Sequence, residues 1–205
     1  MSLPLFLLPL TALKAPKPPK PPKSSKSFSG ASLTASMPAG GAGPGTSQAP
    51  LFSMQPQQET NWCWAATTSS VSHLFDVASQ WSQCSVAATT LTSSCCADAN
   101  PCNKPWSLDA PLRVTDNLQG TPSSGADTFA NIQAQLDLGN PVCCHISWTK
   151  GGGHFMAIVG YDGSSGDVYL DDPLYGASTV PFTSFTSLYR GSGRWDYTYY
   201  TEAAT

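Results

Sequence analysis

Three side chains that can together perform nucleophilic chemistry occur in order along this chain. Residues 61–66 read Asn-Trp-Cys-Trp-Ala-Ala and place one thiol, Cys63, between two tryptophans. His154 follows three consecutive glycines, and Asp172 precedes a proline. A thiol attacks a carbonyl as the thiolate, which needs a positive field such as an imidazolium or a helix N-terminus. The order Cys, His, Asp therefore indicates acyl-transfer chemistry with Cys63 as nucleophile.

Each of these residues can fill its role from the position that the sequence predicts. Cys63 is expected at the start of a helix, where unpaired N–H groups and the macrodipole favour a thiolate. His154 begins a strand and can meet Cys63 across a cleft as general base and acid. Asp172, just after a returning strand, can hold the second ring N–H of His154. Gln57, six residues before Cys63, can stabilise an oxyanion together with the Cys63 N–H.

The elements that position these residues follow from the spacing of apolar side chains. A helix is expected at 61–77 with Asn61 as its cap, then a disulfide-pinned loop at 83–105, a short helix within 106–118 and a clearer helix from Asp127 to Gly139. Period-two alternation predicts strands at 142–148, 154–161, 168–170 and 195–200, with a short helix near 182–189 before the last. Helices come first and an antiparallel sheet follows. The predicted fold class is α+β, with the cleft between the two halves.

The first fifty residues differ in composition from the rest. They hold ten of the 18 prolines, no acidic residue and a formal charge of +5, which leaves −8 on the remainder. Such a segment cannot bury enough apolar surface to offset the entropy of ordering. We predict a disordered basic tail at 1–50, with a polyproline-type spacer at 14–23, and a folded domain at 51–205. Because the folded part is acidic, we expect no nucleic-acid partner.

The chain opens on an apolar stretch at 1–10 that matches a secretion signal poorly. It has two prolines, no basic start and no small-residue cleavage site, and it is too short to span a bilayer. We therefore interpret it as a divergent export signal or a misassigned start, and we expect no stable membrane insertion.

Cysteine usage predicts an oxidising compartment. The chain has seven cysteines, at 63, 84, 95, 96, 102, 143 and 144. Removing Cys63 as a free nucleophile leaves six, enough for three disulfides, with pairs among 84, 95, 96 and 102 favoured by short loops. A metal site built from Cys95, Cys96, Cys102 and a histidine is the competing interpretation, but adjacent cysteines fit zinc spacing poorly. We expect a secreted or extracellular protein, the periplasm included.

These residues resemble the papain clan of cysteine peptidases. More narrowly, they resemble its compact bacterial branch, which includes type III-secreted plant-pathogen effectors. The likeness covers roughly residues 51–201 and is carried by Gln57 with residues 61–66, by Cys-Cys at 95–96 with Cys-Asn-Lys-Pro at 102–105, by Gly-Gly-Gly-His-Phe at 151–155 and by Asp-Pro-Leu-Tyr-Gly at 172–176.

The resemblance implies a papain-like fold and the same four site residues, Cys63, His154, Asp172 and Gln57. Gln58 remains an alternative to Gln57. Asp171 remains an alternative to Asp172, although the proline after Asp172 fits the family better. The residues before the nucleophile depart from the Cys-Gly-Ser-Cys-Trp pattern of larger relatives. His154 follows Cys63 by only 91 positions, fewer than in those larger relatives, so we expect a smaller sheet half.

The other histidines and the tryptophans at the nucleophile are expected to be structural. His145 alternates out of a strand, and His73 lies late on a serine-rich helix. Trp62 and Trp64 are expected to form wall and core.

The function that these residues predict is a cysteine endopeptidase that forms a thioester on Cys63. No cofactor or metal is expected, the partner is a protein or peptide substrate, and we expect a monomer. Two alternatives remain open: a Cys-His amidase or acyltransferase on a similar scaffold, and a non-catalytic binding module of papain-like fold.

Overall fold

One antiparallel sheet with helices on both faces organises the part of the chain that the computed structural model describes, residues 45–48, 51–91 and 94–205. The predicted spacer at 14–23 and the apolar stretch at 1–10 lie outside these residues. The helices described are α1 (Cys63–Phe75), α2 (Gln83–Leu91), α3 (Asp109–Val114), α4 (Phe129–Asp137) and α5 (Phe182–Leu188), with a 3-10 turn at Asn100–Cys102. None of these helices is long and apolar enough to cross a membrane.

The strands of these described ranges are β1 (Thr46–Gln48), β2 (Ser123–Ser124), β3 (Val142–Trp148), β4 (Gly153–Asp162), β5 (Asp167–Asp171), β6 (Ser178–Pro181) and β7 (Gly193–Tyr200). They pair antiparallel in the order β2-β7-β3-β4-β5-β6, and β1 pairs with β4 off this path. The first three helices precede most of the sheet along the chain. The predicted α+β class is therefore confirmed.

β1 lies inside the segment that the sequence assigns to the tail. It pairs with residues 160–162 of β4. On that side β3 pairs with β4 only from Gly153 to Ile158, so the backbone groups beyond would lack partners, and β1 supplies them. Paired structure thus begins before the boundary predicted near Pro50.

The sheet separates two apolar cores. The first lies under α1, α2 and α3 and includes Trp64, Val71, Leu112 and Phe155. The second lies under α4 and α5 and includes the buried residues Ile132, Leu136, Val142, Cys144, Ile146, Met156, Ile158, Phe185 and Trp195. The alternation predicted along 142–148 is confirmed, because Val142, Cys144 and Ile146 all face this second core.

α2 occupies part of the region that the sequence predicts as a loop. Its residues are mostly small or hydroxylated, which gives a weak helical pattern. Val86 and Ala87 are nevertheless fully buried in the first core. Packing against α1 therefore forms a helix that local propensity does not predict.

Two disulfides join cysteines of the described residues, Cys84 to Cys96 and Cys95 to Cys102. Both pairs fall within the set that short loop closure favours. The alternative metal site is wrong, because the sulfurs of Cys95, Cys96 and Cys102 are all bonded to other sulfurs.

The third disulfide that the cysteine count suggested does not form. Cys63, Cys143 and Cys144 are free and buried. Successive residues of a strand point to opposite faces, so Cys143 enters the first core and Cys144 the second. Burial raises the pKa of both thiols well above the ordinary range, which keeps them protonated.

Thiol counting tests this arrangement. Protein denatured without reductant should show three free thiols, whereas native protein should react quickly only at Cys63, which keeps 8% of its surface exposed, because Cys143 and Cys144 are fully enclosed and protonated. Titration with a chromogenic thiol reagent, followed by peptide mapping, measures both numbers. A count of one thiol after denaturation would show that Cys143 and Cys144 form disulfides after all.

Candidate active site

His154 and Asp172 form a buried hydrogen-bonded pair at one end of two neighbouring strands of the sheet. His154 lies near the start of β4, and Asp172 follows the last residue of β5, which pairs with β4. Nε2 of His154 lies 2.8 Å from Oδ1 of Asp172. An ionised carboxylate only accepts hydrogen bonds, so Nε2 must donate. The other ring nitrogen, Nδ1, is left for the opposite side of the ring.

The carboxylate of Asp172 is fully surrounded by donors. Besides His154, Oδ1 accepts the backbone N–H groups of Leu174 at 2.7 Å and Tyr175 at 2.9 Å. Oδ2 accepts the hydroxyl of Tyr189 at 2.9 Å. Burial by itself would raise the pKa of Asp172, but the hydrogen bonds from His154, the strongest, and from the backbone of Leu174 and Tyr175 hold it below the ordinary value. Asp172 is therefore an anion inside the protein.

Cys63 is the first residue of α1, and it lines the same cleft as His154. Burial of His154 lowers its pKa, but its hydrogen bond to Asp172 and its interaction with Cys63 outweigh burial and raise the pKa to about 9. The imidazole is thus charged near neutral pH. Being first in the helix, Cys63 also has a backbone N–H with no partner inside α1. A positive ring and a helix N-terminus therefore both face the thiol.

The first turn of α1 is held by the loop after the second disulfide. The prediction that Asn61 caps the helix is wrong. Trp62 is the N-cap residue, and its side chain makes no cap hydrogen bond. Instead, Asn61 N donates to Oδ1 of Asn103 at 2.9 Å, and Asn61 Nδ2 donates to the Asn103 carbonyl at 3.1 Å. Asn103 Nδ2 donates to the Thr60 hydroxyl at 3.0 Å. These bonds hold the backbone and the side chain of Asn61 against the loop.

The two tryptophans beside Cys63 anchor the same loop. Trp62 Nε1 donates to the carbonyl of Cys102 at 2.9 Å, and Trp64 Nε1 donates to the carbonyl of Lys104 at 3.1 Å. Both side chains are buried, and burial of an indole requires a partner for its N–H. They are wall and core, as predicted.

Gln57 lies beside Cys63 in the same cleft, but its donors are occupied. Nε2 donates to the carbonyls of Glu59 and Thr60, both at 2.9 Å. Two carbonyl acceptors fix the amide orientation, because a flipped amide would point oxygen at oxygen. An oxyanion role for Gln57 therefore requires that it release one of these carbonyls.

The alternatives Gln58 and Asp171 lie elsewhere. Gln58 is exposed, and its backbone N–H donates to Oε1 of Gln83 at 2.9 Å. Asp171 points away from His154, and its Oδ2 accepts the backbone N–H of Met54 at 2.9 Å. Asp171 thus ties the chain before α1 to the sheet.

Aromatic rings surround the imidazole of His154. Trp148 lies with its ring centre 6.2 Å from His154, and Tyr175 packs edge-on at 5.9 Å. The guanidinium of Arg190 stacks on the ring of Tyr175, 3.9 Å from its centre. These rings restrict the approach of water to the His154–Asp172 hydrogen bond.

The cleft above Cys63 and His154 encloses about 190 Å³ and adjoins a second cavity of about 430 Å³. Trp106, His145 and Phe155 line both. Nδ1 of His145 lies 2.6 Å from the carboxylate of Asp196. This histidine, expected to be structural, is therefore also part of the cleft wall.

Gly153 permits the close approach of His145. A Cβ at position 153 would lie 2.0 Å from Nε2 of His145. The last glycine before His154 is thus required by side-chain contact. The remaining histidine, His73, hydrogen-bonds the carbonyl of Ser69 on its own helix and lies away from the cleft.

The structure brings Cys63, His154 and Asp172 together, with Gln57 at the cleft. Sequence reasoning missed Tyr189 and Asn103 as partners of this site. In the sequence, only the place of Tyr189 on the apolar face of a predicted helix set it apart, and that did not indicate a role in the site. Asn103 stood directly after a cysteine in one of the quoted motifs, a position at which a disulfide loop can bring an amide to the helix start.

The profile of the family described as Peptidase_C39 like family matches residues 50–201. None of the curated proteins matches the chain. Among solved structures, the chain is similar to a double glycine motif protease from an AMS/PCAT transporter, crystallised in complex with the leader peptide. The identity is 16%, the alignment covers 73% of this chain and 91% of that one, and the TM-score is 0.44.

The charge state of His154 predicts a pH dependence for alkylation of Cys63. The rate with anionic iodoacetate should fall as pH rises through about 9, because the imidazolium that attracts the reagent then loses its proton. The neutral reagent iodoacetamide should show no such fall, since the thiolate itself persists. Stopped-flow alkylation across pH measures both, with His154→Ala as control. Parallel alkaline profiles for the two reagents would contradict the charge assigned to His154.

Replacing Asn103 tests the anchor at the helix start. Asn103→Ala removes the side-chain hydrogen bonds with the Asn61 N–H and with Thr60 and should lower the free energy of unfolding by about 1–3 kcal/mol, with slower alkylation of Cys63. Asn100→Ala in the same loop is the matched control, because the Asn100 side chain bonds only Asp98 among the hydrogen bonds of the described residues. Urea denaturation measures the stability. Equal losses in the two variants would mean that Asn103 does not anchor the helix start specifically.

Proposed function

We propose that the chain, which belongs to the Peptidase_C39 like family, is a cysteine endopeptidase with Cys63 as nucleophile, His154 as general base and acid, and Asp172 as the residue that orients His154. The family establishes the papain-like cysteine peptidase fold, and the roles of the individual residues are our proposal. The observation that supports it most is the arrangement around the imidazole. One ring nitrogen is held by a buried carboxylate, and the thiol at the helix start lies in the same cleft as the ring.

Acylation follows from this arrangement. The Cys63 thiolate attacks the carbonyl carbon of the scissile peptide bond, and a bond forms between sulfur and carbon while the carbonyl oxygen becomes an oxyanion. The His154 imidazolium then transfers its Nδ1 proton to the leaving nitrogen as the C–N bond breaks. The amine product departs, and the acyl group remains on Cys63 as a thioester.

Deacylation reverses the roles. His154, now neutral, accepts a proton from water, and the resulting hydroxide adds to the thioester carbon. The C–S bond breaks, the carboxylic acid leaves, and the thiolate–imidazolium pair returns. Asp172 keeps its hydrogen bond to Nε2 throughout, so the tautomer that faces Cys63 does not change.

The oxyanion is expected to form between Cys63 and Gln57. The Cys63 N–H is available because it begins the helix. Gln57 can contribute if substrate displaces one of its two carbonyl acceptors, Glu59 or Thr60. Donors of this kind contribute a few kcal/mol to transition-state stabilisation.

Internal cleavage is favoured by the charges of the cleft. No Asp, Glu, Lys or Arg is among the described residues that line the cavity over Cys63. A peptidase that removes terminal residues needs a charged group to bind a free amino or carboxyl terminus. Trp106, Leu174 and Tyr175 instead expose apolar surface along the rim, which suits an extended peptide backbone.

Secretion forms part of this proposal. Two disulfides persist in an oxidising compartment and not in a reducing one, and the thiol count predicted above checks that premise. The narrower likeness to type III-secreted effector peptidases stays a prediction from the motifs.

Cleavage of peptides blocked at both ends tests the function. Wild-type protein should cleave members of an acetylated and amidated peptide library, and Cys63→Ala should cleave none, because the nucleophile is absent. Cys143→Ala is the matched control, since it removes a buried cysteine that faces the core. Mass spectrometry identifies the products, and a competing primary amine is included in a parallel set.

Each other result points to a different function. Cleavage by Cys63→Ala equal to wild type would show that Cys63 is not the nucleophile. Transfer of the acyl group to the amine in preference to water would indicate an acyltransferase. Labelling of Cys63 without any turnover would favour a binding module.

A further inference from the structure

Tyr189 lies at the far side of the Asp172 carboxylate from His154. We propose that Tyr189 is a positioning residue of this site, whose hydroxyl keeps Asp172 ionised and keeps the other carboxylate oxygen directed at His154. This inference rests on the proposed function only in assigning His154 and Cys63 as the reactive pair.

The hydrogen bond of Tyr189 is the one that the second carboxylate oxygen needs. Oδ1 of Asp172 already accepts His154 and two backbone N–H groups, whereas Oδ2 accepts the Tyr189 hydroxyl at 2.9 Å. The Asp172 side chain has no exposed surface, so water cannot replace a lost donor from outside. Burial and the nearby carboxylate raise the pKa of Tyr189 above its ordinary value, so the hydroxyl keeps its proton and donates.

The backbone holds Tyr189 in place. It follows α5, and its N–H and carbonyl both hydrogen-bond Gly193 at 2.8 Å, which closes a tight turn. Arg190 in this turn has a φ of 49°, a left-handed conformation uncommon for a residue with a side chain. A Cβ on Gly193 would lie 2.5 Å from Cγ2 of Ile146 and 3.0 Å from the Tyr189 carbonyl. The position of the tyrosine is therefore determined by close packing on both sides.

The ring of Tyr189 also supports the imidazole from behind. It stacks with Trp148 at 6.1 Å between centres, and Trp148 is itself a neighbour of His154. Phe185 packs edge-on against the other side of Tyr189 at 5.5 Å. The hydroxyl of Tyr189 thus positions the Asp172 carboxylate, and its ring supports Trp148, which lies beside His154.

Loss of the hydroxyl has a defined consequence. Without it Oδ2 would be a buried anionic oxygen with no donor, which favours protonation of Asp172 or rotation of its carboxylate. In either case the His154 imidazolium has a weaker interaction with Asp172 at acid pH, and the Cys63 thiolate beside it becomes less stable. The acid limb of Cys63 reactivity should therefore move to higher pH.

Several other ionisable groups face this pair and remain in the variants. They are Cys63 and Asp171, with Cys144 behind Asp172, Tyr175 over the imidazole and Arg190 beside Tyr189. Burial raises the pKa of Asp171, so its contribution has to be separated from that of Asp172.

Alkylation of Cys63 with iodoacetamide as a function of pH tests the proposal in the full chain. Tyr189→Phe keeps the ring and removes the hydroxyl, and its acid-limb midpoint should rise by about one pH unit, equivalent to roughly tenfold slower alkylation below it. Tyr161→Phe is the matched control, because it removes a tyrosine hydroxyl that donates to another aspartate, Asp137, at 2.8 Å. Its midpoint should equal that of wild type.

The Asp172→Asn background locates the effect. In Asp172→Asn the further change Tyr189→Phe should not move the midpoint again, because the carboxylate on which the hydroxyl acts is absent. A shift that persists there would act through Asp171 or another group and would overturn the proposal. An unchanged or lowered midpoint in Tyr189→Phe itself would overturn it as well.

Two further provisions keep the result decisive. If circular dichroism shows that Tyr189→Phe is unfolded, 3-fluorotyrosine at position 189 replaces it; its more acidic hydroxyl donates more strongly and should lower the midpoint, and no change would overturn the proposal. Alkylation needs no peptide substrate, so the outcome stands even if blocked peptides are not cleaved. Failure of the Tyr189 effect, in turn, leaves cleavage by wild type as a separate result.

Discussion

A single buried carboxylate sets the geometry on which the rest of the site depends. Asp172 is charged inside the protein, and a buried charge is tolerated only when its hydrogen-bonding capacity is filled. The donors to Asp172 come from β4, from the turn that follows Asp172 itself, and from the residue after α5. Pairing of β4 with β5 brings Asp172 beside His154, and the turn at Tyr189 completes the set. The arrangement of the sheet half around His154 can therefore be understood as the solution to one electrostatic requirement.

The helical half meets a different constraint, the unfilled backbone donors at the start of α1. Most helices satisfy some of these with a capping side chain. Here the first turn must leave the Cys63 N–H free, and the preceding residues are held by Asn103 and by the carbonyls of Cys102 and Lys104. The disulfide from Cys95 to Cys102 closes the loop that presents these groups. The residues at the start of α1 are thus held by groups outside the helix, and its N-terminus stays open toward the cleft.

Local patterns predict the parts of this structure whose physics is local. The helix from Phe129 and the strands at β3 and β4 follow from periodicity, because a side chain's face depends on its own position in the element. Cys63, His154 and Asp172 could be proposed since each stands at a recognisable element boundary. α2 could not, because the burial of Val86 depends on a partner helix. The Tyr189 hydroxyl could not either, since it reaches Asp172 only after α5 and the turn behind it have packed on the sheet. Gln57 shows the same limit: its place near the thiol was predictable, but the carbonyls that occupy its amide were not.

The cysteines show why an odd count does not determine a pairing. One free nucleophile and three disulfides fit the number seven, and so do three free thiols and two disulfides. What decides between them is the direction of side chains on one strand. Cys143 and Cys144 are adjacent in β3, so they enter opposite cores, and neither core offers a second free cysteine among the described residues except Cys63 itself. Cys143 and Cys144 therefore serve as small apolar side chains. The three thiols differ in reactivity because burial keeps two of them protonated, whereas the third lies at a helix start beside a charged imidazole.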